Sequence, residues 1–156
     1  MKGTFTLFEP VNKKWDKRFL ALAKQVSTWS KDPSRQIGAI AVNNRNVIAQ
    51  GYNGFPRGID DDPVRYNDRE LKYKYVVHAE MNCIYNASFN GVSLVGSDFY
   101  VWGLPVCSDC AKGIIQVGAK RVIMPEQDIP DHWKESWDLT RSMFDESGIL
   151  WKFLDV

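Results

Sequence analysis

The sequence lacks any long hydrophobic run, and no apolar stretch approaches the ~20 residues that a transmembrane helix requires. Its first residues also lack the long apolar core of a signal peptide. There are only three cysteines in 156 residues, which does not suit a disulfide scaffold. Two of them form a C-x-x-C pair, and such pairs in a reducing cytoplasm more often bind metal or carry out redox chemistry. We therefore expect a cytoplasmic protein without a membrane partner.

The sequence also has no excess of charge of either sign. It contains 20 lysines and arginines against 19 aspartates and glutamates, for a formal net charge of +1. A protein that binds a polynucleotide usually carries a clear basic excess, so the balance favours a small-molecule partner and no polynucleotide. The hydrophobic content of 44% and the charged content of 25% are ordinary for a soluble globular protein. The length fits a single domain, which we expect to span residues 1–156.

Hydrophobic periodicity divides the chain into helices and strands. The first helix is stopped by Asp32-Pro33, and two later helices end at Gly118 and Gly148. The predicted elements are a helix over residues 12–30, strands over 37–42 and 47–50, a helix over 78–89, a strand over 98–102, a helix over 107–117, a strand over 121–124, a helix over 133–146 and a strand over 149–154. The segment 52–67, rich in Gly, Pro and Asp, predicts a long loop, which is usually functional or mobile.

This order of elements predicts the fold class. A helix and a β-hairpin precede strands that alternate with helices, which favours an α/β protein: a three-layer α/β/α sandwich on a five-stranded mixed sheet. Right-handed crossovers should connect the strands that follow the hairpin. Helices that begin near His78 and Cys107 should then face each other at one end of the sheet, because each strand–helix unit returns the chain to the same edge.

Two short motifs at these helix starts carry the chemistry: His78-Ala79-Glu80, and Pro105-Val106-Cys107-Ser108-Asp109-Cys110. His and Cys are preferred zinc donors, and a three-ligand set leaves a fourth position open for water. Glu80 is not needed as a ligand, so it is free to transfer protons. The pattern H-x-E followed by P-C-x-x-C is described for zinc nucleobase deaminases. We therefore predict a zinc site of His78, Cys107 and Cys110, with Glu80 as the catalytic acid and base.

Other interpretations of the same residues remain open. The cysteine pair would also suit a closed structural zinc site, with a fourth ligand from Cys83, His132 or a carboxylate, or a redox pair. The acidic run Asp60-Asp61-Asp62 is either a solvated loop or a Mg²⁺ contact for a bound triphosphate. A nucleotide phosphate would need fixed positive charge. The candidates for it are Lys31, Arg35, Arg57, Arg65 and Arg69.

With these residues in view, the chain resembles the deoxycytidylate deaminases of the cytidine deaminase-like superfamily. The segments that carry the resemblance are Trp29–Ser34, Ile37–Ala39, Gly51–Gly58, His78–Asn82 and Cys107–Lys112. It implies zinc-dependent hydrolysis of dCMP to dUMP and ammonia, which supplies dUMP for thymidylate synthesis. It also implies a homo-oligomer, with a hexamer favoured.

The resemblance further implies roles for individual residues. Asn53 would hold the substrate sugar and the backbone of Ala79 the base, and we add Arg57 for the phosphate because it shares a loop with Asn53. Activation by dCTP and inhibition by dTTP would act at a site that includes Gly51, Tyr52 and Gly54, with Mg²⁺ entering on a triphosphate effector.

The chain departs from the family pattern at two positions. Val106 stands between Pro105 and the first cysteine, where the family usually has Pro directly before Cys, and Cys83 stands where the family commonly has Ala. The alternatives to dCMP as substrate are dCTP, CMP and cytidine, or adenosine in transfer RNA. An alternative of another class is a non-catalytic zinc module that binds nucleotides, although such a module would have no use for Glu80.

Overall fold

The computed structural model describes the backbone of residues 2–156 and the side chains of residues 13–156. The elements in chain order are α1 (Lys2–Ser27), β1 (Gly38–Asn43), β2 (Asn46–Tyr52), α2 (Pro63–Asn67), α3 (Arg69–Tyr75), α4 (Ala79–Phe89), β3 (Asp98–Trp102), α5 (Ser108–Gln116), β4 (Arg121–Pro125), α6 (Asp131–Ser147) and β5 (Leu150–Leu154). None of the helices in this part of the chain is long and apolar enough to cross a membrane.

The five strands form one mixed sheet in the order β2-β1-β3-β4-β5. β1 is antiparallel to both of its neighbours, whereas β3, β4 and β5 run parallel to one another. Asn44 and Arg45 close the β1–β2 hairpin with φ of 52° and 60°, the left-handed conformation that a two-residue hairpin turn requires. The predicted mixed sheet is confirmed.

Helices cover both faces of the sheet. On one face Phe19, Leu20 and Ala23 of α1 pack against the inward side chains of the strands, among them Ile40 and Tyr100. On the other face α4, α5 and α6 enclose a larger core that includes Phe99 and Phe144. This arrangement confirms the predicted three-layer α/β/α sandwich.

A buried ionic cluster ties α1 to the sheet. Asp16 is fully buried and accepts hydrogen bonds from the hydroxyl of Tyr100 at 2.6 Å and from Nη2 of Arg121 at 2.8 Å, and Nζ of Lys152 lies 3.0 Å away. Burial alone would raise the pKa of Asp16, but these partners together hold it below its usual value. Arg121 also contacts Asp98 at 3.0 Å.

The structure corrects the predicted loop over 52–67. Residues 63–67 form α2, and α3 follows over residues 69–75 without having been predicted. Both helices are too short to show apolar periodicity, and caps define them instead. Asp62 accepts from the N–H of Val64 and Asp68 accepts from those of Glu70 and Leu71.

Two helix boundaries also differ from the prediction. The first helix includes residues from Lys2 onward and ends at Ser27, not at residue 30; residues 28–30 continue as a turn in which each N–H bonds the carbonyl three residues earlier. α6 begins at Asp131, two residues before the predicted start. The predicted helix ends at Gly118 and Gly148 are confirmed, because both glycines adopt the left-handed conformation, with φ of 80° and 84°.

Candidate active site

The first half of the site lies where α4 begins. His78 is the N-cap residue of α4 and Glu80 lies in its first turn. The preceding residue, Val77, forms an isolated bridge with Gly54, which fixes the direction in which the chain enters the helix. Two hydrogen bonds from Nδ2 of Asn82, to the carbonyls of Tyr52 and Val77, hold the same turn against the end of β2.

The second half lies at the start of α5. Cys107 is the N-cap residue, and its Sγ accepts a hydrogen bond from the N–H of Cys110 at 3.4 Å. Nδ1 of His78 lies 3.5 Å from Sγ of Cys107 and 3.4 Å from Sγ of Cys110. The three donor atoms lie within 4.8 Å of one another, so the two helix starts converge on one point.

The donor set fits zinc. Two thiolates and one imidazole are donors that zinc prefers, and three protein ligands leave a position for water. In the described part of the chain no fourth Cys, His, Asp or Glu joins the group, so a closed structural site lacks its last ligand. Of the candidates for a fourth ligand, Cys83 is buried in the core and His132 lines a pocket that also includes His78.

The ligand groups shift one another's pKa values. Hydrogen bonding to Cys110 and His78 lowers the pKa of Cys107 to about 4 against the opposing effect of burial, and the hydrogen bond with Cys107 raises the pKa of His78 to about 9. The pKa of Cys110 is raised by its bond to Cys107 and by burial. The shift at Cys107 favours its thiolate, the form in which cysteine binds metal.

Glu80 lies beside the cluster and is only 4% exposed. No side chain in the described residues hydrogen-bonds its carboxyl group. Burial raises the pKa of Glu80 to about 7, the negative charge of Cys107 adds to this, and His78 opposes it. A carboxyl group in this setting is able to take up and release a proton near neutral pH.

His78 and Glu80 open onto a pocket of about 260 Å³, which we call the metal pocket. It brings together the predicted ligand His78, the predicted acid and base Glu80, and the predicted substrate contacts Asn53 and Ala79. Its other lining residues are Asp32, Ser34, Arg35, Ile37, Arg69, Lys72, Tyr73, Val76, Leu104, Pro105, His132 and Trp133.

The carboxamide of Asn53 is held by several hydrogen bonds within the protein. Its Oδ1 accepts from the N–H of Ile37 at 2.9 Å, and its Nδ2 donates to the carbonyl of Arg35 at 2.9 Å and to Asp32 at 3.4 Å. Both amide hydrogens are thus used, and one lone pair on Oδ1 remains for a ligand hydroxyl. The side chain is buried and fixed in orientation.

Sequence reasoning missed Asp32 and Lys72. Asp32 Oδ1 accepts from the backbone N–H of Ser34 and Arg35 and lies 3.2 Å from Nζ of Lys72. Both side chains are less than a tenth exposed. Lys72 comes from α3, so only recognition of the Asp68 cap would have placed it on a helix near the site.

Arg57, predicted to bind substrate phosphate, does not line the metal pocket. It lies in a second pocket of about 430 Å³, together with Tyr52 and Gly54. Its guanidinium donates to Oδ1 of Asn86 and stacks 4.3 Å from the ring centre of Phe89. The structure therefore separates Arg57 from the zinc ligands and groups it with two of the residues predicted to bind an effector.

Gly51, the third predicted effector residue, lies outside that second pocket and has a packing role. A Cβ at this position would collide with the backbone N of Cys83 and lie 2.6 Å from the carbonyl oxygen of Ala79. The absence of a side chain lets β2 lie directly against the first turns of α4. Gly51 thus helps to place the helix that carries His78.

The acidic run at 60–62 is largely engaged by the protein. Asp61 forms an ion pair with Lys31 at 2.8 Å and accepts from the hydroxyl of Tyr66. Asp62 caps α2, and the carbonyl of Asp60 accepts from Arg65. Two of the three carboxylates are therefore committed to holding the loop.

Comparison with known proteins defines the class. Residues 13–126 match the family described as the cytidine and deoxycytidylate deaminase zinc-binding region. The chain belongs to this family, and with its His/Cys/Cys cluster it is a zinc-dependent deaminase.

Individual relatives are similar over most of their length. The chain is 39% identical over 147 residues to an uncharacterized deaminase of the luxG 3' region of Aliivibrio fischeri, covering 92% of this chain and 97% of the relative. It is 38% identical over 146 residues to human deoxycytidylate deaminase, covering 88% and 78%. The fold matches the dCMP deaminase of cyanophage S-TIM5 solved with dCMP and dUMP, with a TM-score of 0.70, 22% identity and coverage of 90% and 97%.

Proposed function

We propose that this protein hydrolyses dCMP to dUMP and ammonia, and so supplies dUMP for thymidylate synthesis. The observation that carries the proposal is one pocket that joins His78 of the zinc-ligand group, Glu80, Asn53 and three cationic side chains, those of Arg35, Arg69 and Lys72. The 38% identity of the chain to deoxycytidylate deaminases supports cytosine as the base and deoxyribose as the sugar of the substrate.

Each residue has a defined task in this reaction. Zinc, when bound by His78, Cys107 and Cys110, supplies Lewis-acid chemistry that acidifies water. Glu80 takes a proton from the attacking water and delivers it to the ring nitrogen next to C4 of cytosine. The oxygen of that water bonds C4, and Glu80 then transfers the proton of the new C4 hydroxyl to the amine. The C4–N bond breaks, ammonia leaves and the C4 carbonyl of dUMP forms. The backbone of Ala79 binds the base, and the free lone pair of Asn53 accepts a hydrogen bond from a sugar hydroxyl.

Arg35 and Arg69 bind the phosphate in this proposal. Both line the metal pocket, and no carboxylate among the described residues forms an ion pair with either of them. The third cation there, Lys72, is already paired with Asp32. Guanidinium groups form strong charge-assisted hydrogen bonds with phosphate, so two unpaired ones favour a nucleotide over a nucleoside.

The test is product analysis of zinc-loaded protein given dCMP, dCTP, CMP and deoxycytidine in parallel. We expect rapid conversion of dCMP to dUMP. Consumption of another cytosine compound while dCMP stays intact would overturn the substrate and leave a deaminase. Zinc binding without any turnover would favour the non-catalytic nucleotide-binding module.

The arginines are tested by substitution. Arg69→Met should raise KM for dCMP by ~10-fold or more, because a charge-assisted bond to phosphate is lost. Arg141→Met is the control, because it removes an exposed arginine of α6 that pairs with Asp138. The phosphate assignment fails if both variants keep the KM of the unmodified protein.

We also propose that the second pocket binds the effectors dCTP and dTTP, with Mg²⁺ carried by the triphosphate. The pocket holds Tyr52, Gly54 and Arg57, and it is lined separately from the metal pocket. In the same dCMP assay, dCTP should activate and dTTP should inhibit, and Arg57→Met should weaken both effects. Unchanged rates across effector concentrations would overturn this proposal.

We further propose that the protein is a homo-oligomer, with a hexamer favoured, and that it lies in the cytoplasm. Tyr85 of α4 lines the second pocket, Phe89 contacts Arg57 of that pocket, and both rings are exposed. Exposed aromatic side chains of this kind suit a subunit contact. A thiolate-based zinc site needs reduced cysteines, as in the cytoplasm. Sedimentation analysis tests the assembly, and a monomer at micromolar concentration would contradict it.

A further inference from the structure

One face of α6 is bonded to the backbone around the zinc ligand Cys107. Trp133, Ser136 and Thr140 lie at positions i, i+3 and i+7 of the helix and so share one side of it. Nε1 of Trp133 donates to the carbonyl of Pro105 at 2.8 Å, and Oγ1 of Thr140 donates to the carbonyl of Val106 at 2.8 Å. Oγ of Ser136 accepts from the N–H of Ser108 at 2.9 Å. We call these three side chains the α6 clamp.

The clamp acts on backbone groups that need a partner. Val106 and Thr140 are both fully buried, and a buried carbonyl left without a hydrogen bond is costly. The N–H of Ser108 belongs to the first turn of α5, where a helix supplies no internal acceptor. The bonds thus fix the chain on both sides of Cys107.

The clamp coincides with the departure of this chain from the P-C-x-x-C signature of zinc nucleobase deaminases. Val106 stands between Pro105 and the first cysteine, and its carbonyl is the one that Thr140 binds. The match to the family covers residues 13–126 and ends before α6, which begins at Asp131. The bonds to the altered loop therefore come from outside the matched region.

We propose that α6 positions the zinc ligand Cys107, and that Trp133, Ser136 and Thr140 are positioning residues that set the affinity for zinc. A ligand loop held in place loses little conformational freedom when the metal binds. Groups that lie outside the coordination sphere and orient a metal ligand typically contribute a factor of ~10–100 in metal affinity. The inference rests on the zinc centre and is independent of which nucleotide is the substrate.

The test is zinc affinity, measured by competition with a chromogenic chelator. Thr140→Val keeps the shape of the side chain and removes the donor to Val106, and Thr140→Ser keeps the hydroxyl. Ser97→Ala is the matched control, because Oγ of Ser97 is also buried and donates to a backbone carbonyl, that of Leu94, at 2.7 Å. That bond does not involve the metal loop.

We expect Thr140→Val to bind zinc ~10-fold or more weakly, Thr140→Ser to restore most of the affinity, and Ser97→Ala to lose thermal stability without losing zinc affinity. Equal zinc affinity in Thr140→Val and Ser97→Ala would overturn the proposal. If Thr140→Val does not fold, the half-buried Ser136→Ala and Trp133→Phe decide it by the same assay. An unmodified protein that binds no zinc would instead refute the zinc centre itself.

Discussion

In the proposed reaction, Glu80 transfers protons but does not bind the metal. It lies in the metal pocket but outside the ligand group, so Glu80→Gln should leave zinc content unchanged. Loss of a general acid and base typically costs ~10²–10⁴ in rate, and we expect a fall in kcat for dCMP of at least that order. Metal analysis and steady-state kinetics measure both quantities on one preparation.

Glu70→Gln serves as the control for this substitution, because Glu70 is exposed on α3, away from the ligand group, and pairs with Lys74 at 3.9 Å. It should keep the kcat of the unmodified protein. Substantial turnover by Glu80→Gln would contradict the proton-transfer role.

The charge state of Asp16 makes the stability of the folded protein depend on pH. Its pKa is held below the usual 3.8 by Arg121, Tyr100 and Lys152, so the folded protein favours the charged form. The stability from this shift is fully present above pH ~3.9 and is lost as the pH falls through the lower pKa of the folded state. Asp16→Asn should cost ~3–5 kcal/mol at neutral pH, because it removes the buried negative charge that Arg121 and Lys152 contact.

Urea unfolding between pH 3 and pH 7 checks this prediction. Asp16→Asn should flatten the acid limb of the stability curve, whereas the exposed Asp138→Asn should not change it. An unchanged acid limb in Asp16→Asn would show that other carboxylates control acid unfolding.

At the scale of elements, the contact of β2 with α4 depends on Gly51. Gly51→Ala introduces a Cβ against the backbone of α4 at Ala79 and Cys83, and overpacking of this kind costs ~1–3 kcal/mol. Because helix α4 carries His78, zinc affinity should fall together with the free energy of unfolding.

Gly54→Ala is the matched control, since its Cβ would meet only Tyr66 at 3.7 Å and Tyr52 at 3.9 Å, which are ordinary contacts. Urea unfolding should rank Gly51→Ala below Gly54→Ala in stability. The reverse order would mean that the strand–helix contact adjusts easily.

At the scale of the whole molecule, the proposed zinc site joins the starts of two helices that are separated in the chain by strand β3. Its ligands come from α4 and α5, which pack on the same face of the sheet. A ligand that binds only the folded state stabilises it by ~2.7 kcal/mol at a hundredfold excess over Kd. Removal of zinc by a chelator should therefore lower Tm, and added zinc should restore it in a concentration-dependent way.

Cysteine variants show which thiols are responsible. Cys107→Ser should lose the dependence of Tm on zinc, whereas Cys83→Ala should keep it, because Cys83 is fully buried in the core and does not belong to the ligand group. Equal zinc dependence in both variants would contradict the assignment of the ligands.

The sequence by itself determined the sandwich, the mixed sheet and the helix starts that carry the metal motifs. These follow from local signals: apolar periodicity, hairpin chemistry at Asn44, and the stops at Gly118 and Gly148. The spacing of His78 and Glu80, and of the two cysteines, is equally local, because it places each pair within one turn of a helix.

Only the tertiary structure decided what surrounds those ligands. In the structure, Arg57 lies in the second pocket and Lys72 of the short helix α3 lies beside Asp32. Helix α6 hydrogen-bonds the backbone next to Cys107. These contacts join residues 28 or more positions apart. Their partners are chosen by how helices pack over the sheet, and a pattern that extends over one or two turns of chain carries no information about that packing.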